Sequence, residues 1–319
     1  MSDKKSVAID VKHLTRRFGQ FAAVNDVSFE VRTGEIFGFL GSNGAGKSTT
    51  IRMLCGLLRP SSGTAIVGGI DVAADPEGVK RRIGYMSQRF SLYELLTVDQ
   101  NIRFFGGVYG LTPEQLDTRR SFVIEMAGLR GREDSLARDL AGGWRQRLAL
   151  GCAILHEPAI LFLDEPTGGV DPLSRRQFWR LIDSLALSGV TILVTTHYLD
   201  EAERCHRVTL IHAGRLAAIG TIAEVKRVFA GRPIIEVRTS RATDAMQALD
   251  AMPMVEKTSL FGTAVHAVLR SSAIQPLSIA DHLKERGIPV ESIELVEPSL
   301  EDVFLDVVER AEAERSAAS

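Results

Sequence analysis

The sequence has no long apolar run, and this limits how it can meet a membrane. Nowhere in its 319 residues do apolar residues continue far enough to reach the ~18 that a helix needs to cross a bilayer. Residues 1–10 contain lysines with no apolar segment behind them, so we expect no secretory signal. Any membrane role is therefore expected to come through a partner.

Cysteine is scarce, and neither sign of charge predominates. Cys55, Cys152 and Cys205 are far apart and odd in number, which argues against a disulfide framework and favours a reducing compartment such as the cytosol. The formal net charge is −2, with no internal repeat, no basic stripe and no low-complexity segment beyond an Ala/Glu-rich tail. We therefore expect no nucleic-acid partner.

The composition is that of an ordinary globular protein, with 45% hydrophobic and 24% charged residues. At roughly 150 residues per domain, a chain of this length is expected to form two. The pattern of apolar residues changes at a Gly-Arg-Pro turn within residues 227–233. We predict a first domain over residues 1–228 and a second over 232–319.

Short apolar runs alternate with helical patterns in the first domain. A mostly helical subdomain is predicted over about residues 90–157. Helices are also predicted at Ser48–Leu58 and Arg175–Leu187. Strands are predicted at Val7–Leu14, Val24–Val31, Ile36–Leu40, Ile160–Leu163 and Val190–Thr195. Alternation of this kind is typical of a parallel sheet with helices on both faces.

The second domain is predicted to be a small α+β unit. Its elements follow the β-α-β-β-α-β order of a ferredoxin-like fold, with a last helix at Leu300–Glu309. The predicted elements are strand Ile234–Arg238, helix Ala242–Ala251, strands Val255–Leu260 and Thr263–Leu269, helix Ser278–Gly287 and strand Val290–Val296.

A phosphate-binding loop is predicted between the strand at Ile36–Leu40 and the helix that follows. Its pattern, G-x-x-x-x-G-K-[S/T], is filled by Gly41, Ser42, Asn43, Gly44, Ala45, Gly46, Lys47 and Ser48, and Thr49 follows. Glycine lets backbone N–H groups approach phosphate oxygens, and the helix N-terminus adds favourable partial charge. Lys47 is expected to reach the β- and γ-phosphates of ATP, and the Ser48 hydroxyl to bind Mg²⁺. The alternative, a Gly-rich turn with a chance lysine, is disfavoured by the strand–loop–helix context.

A pair of carboxylates follows the apolar run Ile160–Leu163. Asp164 and Glu165 are expected at the carboxyl edge of the sheet, where open α/β sheets bind ligands. We expect Asp164 to hold Mg²⁺ through water and Glu165 to polarise the attacking water of a phosphoryl transfer. An ordinary acidic turn after a strand is the alternative.

Together these motifs resemble the ATP-binding-cassette (ABC) family of transport ATPases. Residues 140–147, Leu-Ala-Gly-Gly-Trp-Arg-Gln-Arg, are similar to the signature sequence of that family, usually Leu-Ser-Gly-Gly-Gln. The resemblance covers residues 6 to about 225. It implies roles for four further residues: Gln88 as the glutamine that senses metal and water, His197 as the switch histidine, Asp171 in the loop that joins two subunits, and Phe18 as the ring stacked on adenine.

The resemblance implies an α/β fold of the P-loop NTPase cassette type, with a mixed or parallel sheet core and a helical subdomain. It also implies ATP and Mg²⁺ as ligands and a head-to-tail dimer that encloses two nucleotides. Ala141, Gly142 and Gly143 would meet the γ-phosphate on a second molecule, because Gly142 and Gly143 precede a long helical run whose N-terminus attracts anions. The chain would lie on the cytoplasmic face of the membrane, bound to a permease.

Three positions depart from the usual pattern of the family. Ala141 replaces a serine, so one hydroxyl contact to the γ-phosphate, worth about 1.5–3 kcal/mol, would be lost. Gly168 stands where serine or alanine is more common, and Ser42 stands where proline is common. We expect ATPase activity nevertheless, with the dimer closing less readily on ATP.

Residues 297–304, Glu-Pro-Ser-Leu-Glu-Asp-Val-Phe, are similar to the ending of ATPases that pair with ABC-2-type export permeases. The segment Thr195–Glu203 points the same way. The resemblance therefore implies export through a separate membrane permease. Ser299 with Asp302 can also be read as a helix start close to a capping box, and both readings can hold.

Two other functions remain open at this point. One is a soluble ABC ATPase acting on ribosomes or nucleic acid, although the single cassette and the absence of a long coiled-coil insertion argue against it. The other is a regulatory cassette with low turnover, suggested by Ala141.

An apolar segment follows Gln88 in the sequence. We expect most of its large apolar side chains to belong to the core and some to be exposed as a groove for the permease. These residues are Phe90, Leu92, Tyr93, Leu95, Leu96, Phe104 and Phe105.

Overall fold

The computed structural model describes residues 6–88, 92–271 and 276–317. Contacts within the chain divide it into two compact units, Met1–Ile219 and Gly220–Ser319. The boundary expected from the sequence, at residues 228–232, falls a short way inside the second unit and stays a prediction. Among the described residues, no helix combines the length and the apolar character needed to cross a bilayer.

The first unit begins with two long strands, β1 (Val7–Phe18) and β2 (Phe21–Arg32), joined by a tight turn. The elements that follow are β3 (Ile36–Leu40), α1 (Lys47–Leu54), β4 (Ser62–Val67), β5 (Ile70–Asp71), α2 (Pro76–Arg82) and β6 (Ile83–Met86). Strands β1, β2, β4 and β5 form an antiparallel sheet in the order β2-β1-β4-β5. Apolar side chains of this sheet pack on β3 and α1 in one core.

The helical subdomain comes next and has a core of its own. It contains α3 (Val98–Val108), α4 (Pro113–Ala127) and α5 (Gly142–Ala153). Capping boxes begin the first two: Thr97 with Gln100, and Thr112 with Gln115, which satisfies N–H groups that the helix cannot bond itself. The core consists of Val98, Ile102, Val123, Ile124, Ala127, Leu129, Leu140, Leu148, Cys152 and Leu155.

A six-stranded sheet completes the first unit. The elements that follow the helical subdomain are β7 (Ile160–Asp164), α6 (Pro172–Leu187), β8 (Thr191–Thr196), α7 (Leu199–Ala202), β9 (Arg207–His212) and β10 (Arg215–Gly220). The strand order is β10-β9-β3-β8-β7-β6, and the pairs β3–β8, β3–β9, β7–β8 and β6–β7 are parallel. Every residue of β3, β7 and β8 is buried, as expected for strands covered on both faces.

The register places three segments of the predicted site together. Leu40 pairs with Thr196, and Asp164 pairs with Thr195. The carboxyl ends of β3, β7 and β8 therefore lie at one edge of the sheet, where α/β folds bind ligands.

Several elements differ from those predicted. The helix expected at Ser48–Leu58 ends at Leu54, because the chain turns at Gly56 with a φ of 68°. The strand expected at Val7–Leu14 continues to Phe18, since β1 pairs with both β2 and β4. Strands β4, β5, β6, β9 and β10 and helix α2 were not predicted.

The second unit has the predicted ferredoxin-like order. It contains α8 (Ile222–Lys226), β11 (Ile234–Arg238), α9 (Ala242–Asp250), β12 (Val255–Phe261), β13 (Ala264–Leu269), α10 (Pro276–Glu285), β14 (Ser292–Val296) and α11 (Leu300–Ala317). Its four strands form one sheet in the order β12-β13-β11-β14, in which every pair is antiparallel. The α+β prediction for this region is confirmed.

Candidate functional site

The loop between β3 and α1 keeps its shape because two of its glycines have no room for a side chain. A Cβ on Gly41 would collide with the carbonyl oxygen of Ile211, and one on Gly46 would lie 2.6 Å from that of Ala23. Gly46 also has a φ of 112°, a backbone conformation that residues with a side chain rarely adopt. The loop therefore leads directly into the N-terminus of α1, which favours anions.

The remaining loop residues divide by exposure. Ala45 is buried, and its N–H bonds the carbonyl oxygen of Ser42 at 3.1 Å. The exposed residues are Ser42, Asn43 and Gly44, while Ser48 and Thr49 are half-buried at the start of α1. This is the arrangement of a loop whose outer backbone can contact a ligand.

Lys47 is buried over the loop, with only 5% of its surface exposed. Its Nζ donates to the carbonyl oxygens of Gly41 at 2.7 Å and Ser42 at 3.2 Å. The same Nζ lies 3.2 Å from Oε1 of Glu165. The ammonium group is thus fixed between the loop and the carboxylate at the end of β7.

Asp164 is tied to α1 and β8 by two hydroxyl groups. Ser48 Oγ donates to Asp164 Oδ1 at 3.1 Å, and Thr195 Oγ1 donates to the same oxygen at 2.7 Å. Burial raises the pKa of Asp164 above its usual range, although both hydrogen bonds oppose the shift. A hydroxyl oxygen and a carboxylate oxygen therefore stand side by side.

This pair of oxygen ligands fits Mg²⁺, a hard cation that binds through few protein groups together with phosphate oxygens. Within the described parts of the chain, no three His, Cys, Asp or Glu side chains gather in the manner of an all-protein metal centre. Ser48 and Asp164 would hold the ion, as the sequence predicted. Gln88, the third predicted ligand, donates from its amide nitrogen to Glu165 at 2.9 Å, and its role toward the metal stays a prediction.

Glu165 is contacted by three other residues of the predicted site, which are Lys47, Gln88 and His197. Its backbone has a φ of 48°, rare for a residue other than glycine, and its N–H bonds Thr195 Oγ1 at 2.9 Å. Strain of this kind concentrates at functional sites. Besides Lys47, its carboxylate contacts Gln88 Nε2 at 2.9 Å and His197 Nδ1 at 3.2 Å, both through Oε2. A buried carboxylate with three polar neighbours can orient a water molecule for attack.

The residues predicted from the signature sequence lie on α5. Ala141 occupies the N-cap position and makes no side-chain hydrogen bond there, and Gly142 and Gly143 form the first turn. A Cβ on Gly143 would collide with Ser174 in α6. These three residues take no part in the contacts that join Lys47, Ser48, Gln88, Asp164, Glu165 and His197.

Asp171 caps α6, accepting hydrogen bonds from the N–H groups of Leu173 at 3.1 Å and Ser174 at 3.0 Å. The bonds to Ser174 hold its pKa below the usual range. The predicted role of Asp171 between subunits stays a prediction.

Phe18 ends β1 and is 49% exposed. The guanidinium of Arg16 lies 4.7 Å from the centre of its ring. An exposed ring at this position is available for stacking, and its role toward adenine stays a prediction.

Sequence reasoning missed two groups of residues around Glu165. Thr195 bonds both Asp164 and Glu165, and Glu201 binds the hydroxyls of Thr167 and Thr196. The only signal in the sequence was the pair of threonines that ends β8 directly before His197. Its meaning depends on β8 lying beside β7, which the sequence does not state.

The fold and this site define a nucleotide-binding cassette: a phosphate loop, a carboxylate pair and a helical subdomain on one α/β core. Residues 24–168 match the family described as ABC transporter. Residues 220–308 match the family described as ATP-binding protein DrrA1-3-like, C-terminal domain.

Curated relatives agree with both matches. The chain is 52% identical over 218 residues to the probable multidrug ABC transporter ATP-binding protein YbhF of Escherichia coli K12; the match covers 68% of this chain but 38% of YbhF, so the chain spans well under half of that relative. It is 35% identical over 325 residues to the daunorubicin/doxorubicin resistance ATP-binding protein DrrA of Streptomyces peucetius, covering 99% of this chain and 97% of DrrA. The chain belongs to the family of ABC transporter ATP-binding proteins, whose members are ATPases that power transport.

Solved structures have the same fold. An ATP-binding subunit of an ABC transporter is 33% identical with a TM-score of 0.64, over 70% of this chain and 93% of that one. The bacterial ABC transporter cassette MJ0796, whose structure is dimeric, is 25% identical with a TM-score of 0.62, over 67% of this chain and 98% of that one. The fold class predicted from the sequence is confirmed.

Proposed function

We propose that this chain hydrolyses ATP with Mg²⁺ as the nucleotide-binding subunit of an export transporter, and drives a separate ABC-2-type membrane permease. The observation that carries the proposal is the convergence on Glu165. Lys47, Gln88 and His197 come from three different segments of the chain, and each contacts its carboxylate within 3.2 Å.

ATP would bind along the loop of residues 41–49. The backbone N–H groups and the N-terminus of α1 would hold the phosphates, and Lys47 would neutralise charge on the β- and γ-phosphates. The exposed ring of Phe18 would stack on adenine. When bound by Ser48 and Asp164, Mg²⁺ would supply further neutralisation of phosphate charge.

Hydrolysis would depend on Glu165. Its carboxylate would accept a hydrogen bond from a water molecule and orient the oxygen toward the γ-phosphorus. The water oxygen forms the new bond to phosphorus as the bond to the ADP oxygen breaks, and the proton of the water goes to Glu165 or a phosphate oxygen. Gln88 and His197 would keep the carboxylate in position, because both contact the same oxygen, Oε2.

Two copies would form the working unit. The N-terminus of α5, at Gly142 and Gly143, would meet the γ-phosphate of ATP held on the partner's loop, with Ala141 and Asp171 at the same interface. The dimeric structure of the MJ0796 cassette supports this arrangement. Loss of the γ-phosphate would remove part of the contact between the two copies and let them separate.

The permease would dock on an exposed apolar surface of the helical subdomain, defined by Tyr93, Leu95 and Phe104, which are 50%, 71% and 41% exposed. The rings of Tyr93 and Phe104 meet edge-on at 4.5 Å, and Phe105 lies 5.4 Å from Phe104.

The expectation that the apolar segment after Gln88 is mostly core is wrong for its described members. Leu92, Leu96 and Phe105 are half-buried, and Tyr93, Leu95 and Phe104 are exposed. Phe90 lies outside the described residues.

Export is supported by the names of the relatives, which include multidrug, linearmycin resistance and daunorubicin/doxorubicin resistance ATP-binding proteins. Held by its permease, the chain would lie on the cytoplasmic face of the cell membrane. Copurification with an integral membrane protein would support this assignment, and copurification with ribosomes would contradict it.

One observation favours a second candidate, a cassette that binds ATP but turns it over slowly. Ala141 supplies no side-chain hydrogen bond at the N-cap of α5, so a donor that most signature sequences carry would be missing from the interface.

Steady-state ATPase assays of the purified chain, alone and with its permease, test the proposal. We expect Mg²⁺-dependent turnover in the wild type and a loss of at least about a hundredfold in Glu165→Gln, with ATP still bound. Equal turnover in the two proteins would contradict the role of Glu165. ATP binding without turnover by the wild type would favour the second candidate.

A further inference from the structure

A second buried carboxylate lies close to the proposed site, and the mechanism above does not use it. Glu201 belongs to the short helix α7 and has only 2% of its surface exposed. Removing a charged group from water is costly unless partners compensate for it, so the partners of Glu201 indicate what it is for.

Two hydroxyl groups bind this carboxylate, one at each oxygen. Thr167 Oγ1 donates to Oε1 at 2.6 Å, and Thr196 Oγ1 donates to Oε2 at 2.9 Å. Thr167 lies two residues after Glu165, and Thr196 directly precedes His197. Glu201 therefore joins the segment that carries the proposed base to the segment that carries the proposed switch histidine.

An arginine brings in a third segment. Arg175, on α6, has its Nε 3.5 Å from Glu201 Oε1. Its guanidinium lies 4.2 Å from the ring centre of Tyr198, which in turn lies 4.1 Å from the ring of His197. The N–H of Tyr198 also bonds the Thr196 hydroxyl at 2.9 Å.

These contacts add a second connection between two loops that the bonds from the N–H of Glu165 to Thr195 already join. The loop after β7 is closed by the N–H of Gly168, which bonds the carbonyl oxygen of Glu165 at 3.2 Å. The loop after β8 is held through Thr196 and Tyr198. Glu201 binds both loops, and the 3.2 Å contact between His197 and Glu165 joins the same two loops.

We propose that Glu201 is a positioning residue for ATP hydrolysis: by binding Thr167 and Thr196, it keeps the side chains of Glu165 and His197 in contact. The inference rests on the proposed function, because it assigns Glu201 a role in the same reaction. Glu201 touches neither nucleotide nor water in this account and acts only through the two threonines. An error of 1 Å in a catalytic group can cost about a hundredfold in rate.

The test is Glu201→Gln, which preserves size but removes the charge, with Asp200→Asn as its matched control. Asp200 lies on the same helix and 3.7 Å from the same arginine, but it is 74% exposed. In Glu201→Gln we expect kcat to fall at least about tenfold, with KM for ATP within about twofold of the wild type. In Asp200→Asn both constants should stay within about twofold.

Thr196→Val and Thr196→Ser provide a second test, which still applies if Glu201→Gln fails to fold. Valine matches threonine in shape without the hydroxyl, whereas serine keeps the hydroxyl. We expect Thr196→Val to lower kcat with KM unchanged, and Thr196→Ser to restore most of the rate.

Thermal unfolding and ATP binding, measured on the same proteins, separate positioning from a merely structural role. The inference is overturned if Glu201→Gln or Thr196→Val lowers the melting temperature but leaves kcat per folded molecule unchanged. It is also overturned if kcat and KM change together in Thr196→Ser. A wild type without turnover overturns the proposed function instead, and with it the reaction that Glu201 is assigned to.

Discussion

Two adjacent glycines at the start of α5 meet different surroundings. A Cβ on Gly142 would have no heavy atom within 4 Å, whereas one on Gly143 would collide with Ser174. Gly143 is therefore needed for packing within one chain. Packing within one chain does not explain why residue 142 is glycine. The approach of a ligand or partner to the end of the helix would explain it.

This difference makes Gly142→Asp an informative variant. The position has room for the side chain, and a carboxylate in the first turn of a helix is stabilising by about 0.3–1 kcal/mol. The chain should fold at least as well as the wild type. Any ATP that approaches this end of α5 would meet a negative charge in place of an open N–H.

A titratable side chain far along the sequence forms another buried cluster. His266, on β13, has Nδ1 2.9 Å from Asp302 of α11 and Nε2 3.4 Å from Glu236 of β11, and its ring stacks on Phe261 of β12. Burial lowers the pKa of His266, but the hydrogen bonds and charges of the two carboxylates outweigh burial, so the net pKa is raised. Against burial, the hydrogen bond to His266 lowers the pKa of Asp302, and the hydrogen bonds to Arg238 and His266 lower the pKa of Glu236.

Because the folded-state pKa of His266 is raised, its contribution to stability is complete below the unfolded pKa of about 6.5 and is lost as the pH rises through the folded value. The two carboxylates contribute above about pH 4 and lose their contribution as the pH falls through their lowered values. We predict that His266→Gln costs the second unit about 1.5 kcal/mol near pH 6 and clearly less near pH 9. Hydrogen exchange of β13 amides in the full chain, corrected for intrinsic rates, measures this; an equal cost at both pH values would contradict it.

Helix α5 begins without the cap that its neighbours have. Thr97 and Thr112 accept hydrogen bonds from backbone N–H groups at the starts of α3 and α4, whereas Ala141 at the start of α5 accepts none. Serine at an N-cap is favoured over alanine by about 1 kcal/mol. The departure seen in the signature sequence therefore affects stability as well as the proposed interface.

We predict that Ala141→Ser raises the free energy of unfolding of the first unit by about 0.5–1 kcal/mol, and does so without nucleotide. Urea unfolding followed by fluorescence of Trp144 and Trp179 measures this. Thr97→Ala, which removes a cap from α3, should lower stability by a similar amount and serves as the opposite control. No gain in Ala141→Ser would show that the new hydroxyl does not bind the N–H groups of α5.

The elements that the sequence predicted well are those whose own residues decide their form. Strands β3, β7 and β8 are continuous apolar runs, and the loop of residues 41–49 carries its glycines in a fixed spacing. Strand β6 was missed because it is only four residues long. It also contains Gly84, where a Cβ would collide with the carbonyl oxygen of Ala153, a reason for glycine that only the packed structure reveals. Strand β10 was missed because its residues are half-exposed and lack a clear alternation.

The same limit applies to the site. Lys47, Ser48, Asp164 and Glu165 could be named from spacing, because each lies at the end of a predictable strand or helix. Thr195 and Glu201 could not, since their contacts depend on which strands lie side by side. The catalytic and binding roles of all these residues stay predictions.

At the scale of the whole molecule, the two parts of the proposed nucleotide site lie on different elements of the chain. Lys47 contacts Glu165 at the edge of the sheet, whereas Gly142 begins a helix of the helical subdomain. In a head-to-tail pair with two-fold symmetry, each ATP would be held by the loop of one copy and α5 of the other. Neither part would then be sufficient within one chain.

The most direct test of this account is a complementation assay that mixes Lys47→Ala with Gly142→Asp. Each variant alone should lack ATPase activity. In an equimolar mixture about half of the pairs contain both variants, and each of those pairs has one intact site, so the account predicts about one quarter of wild-type turnover. A mixture as inactive as its two components would contradict the claim that ATP is held between two copies.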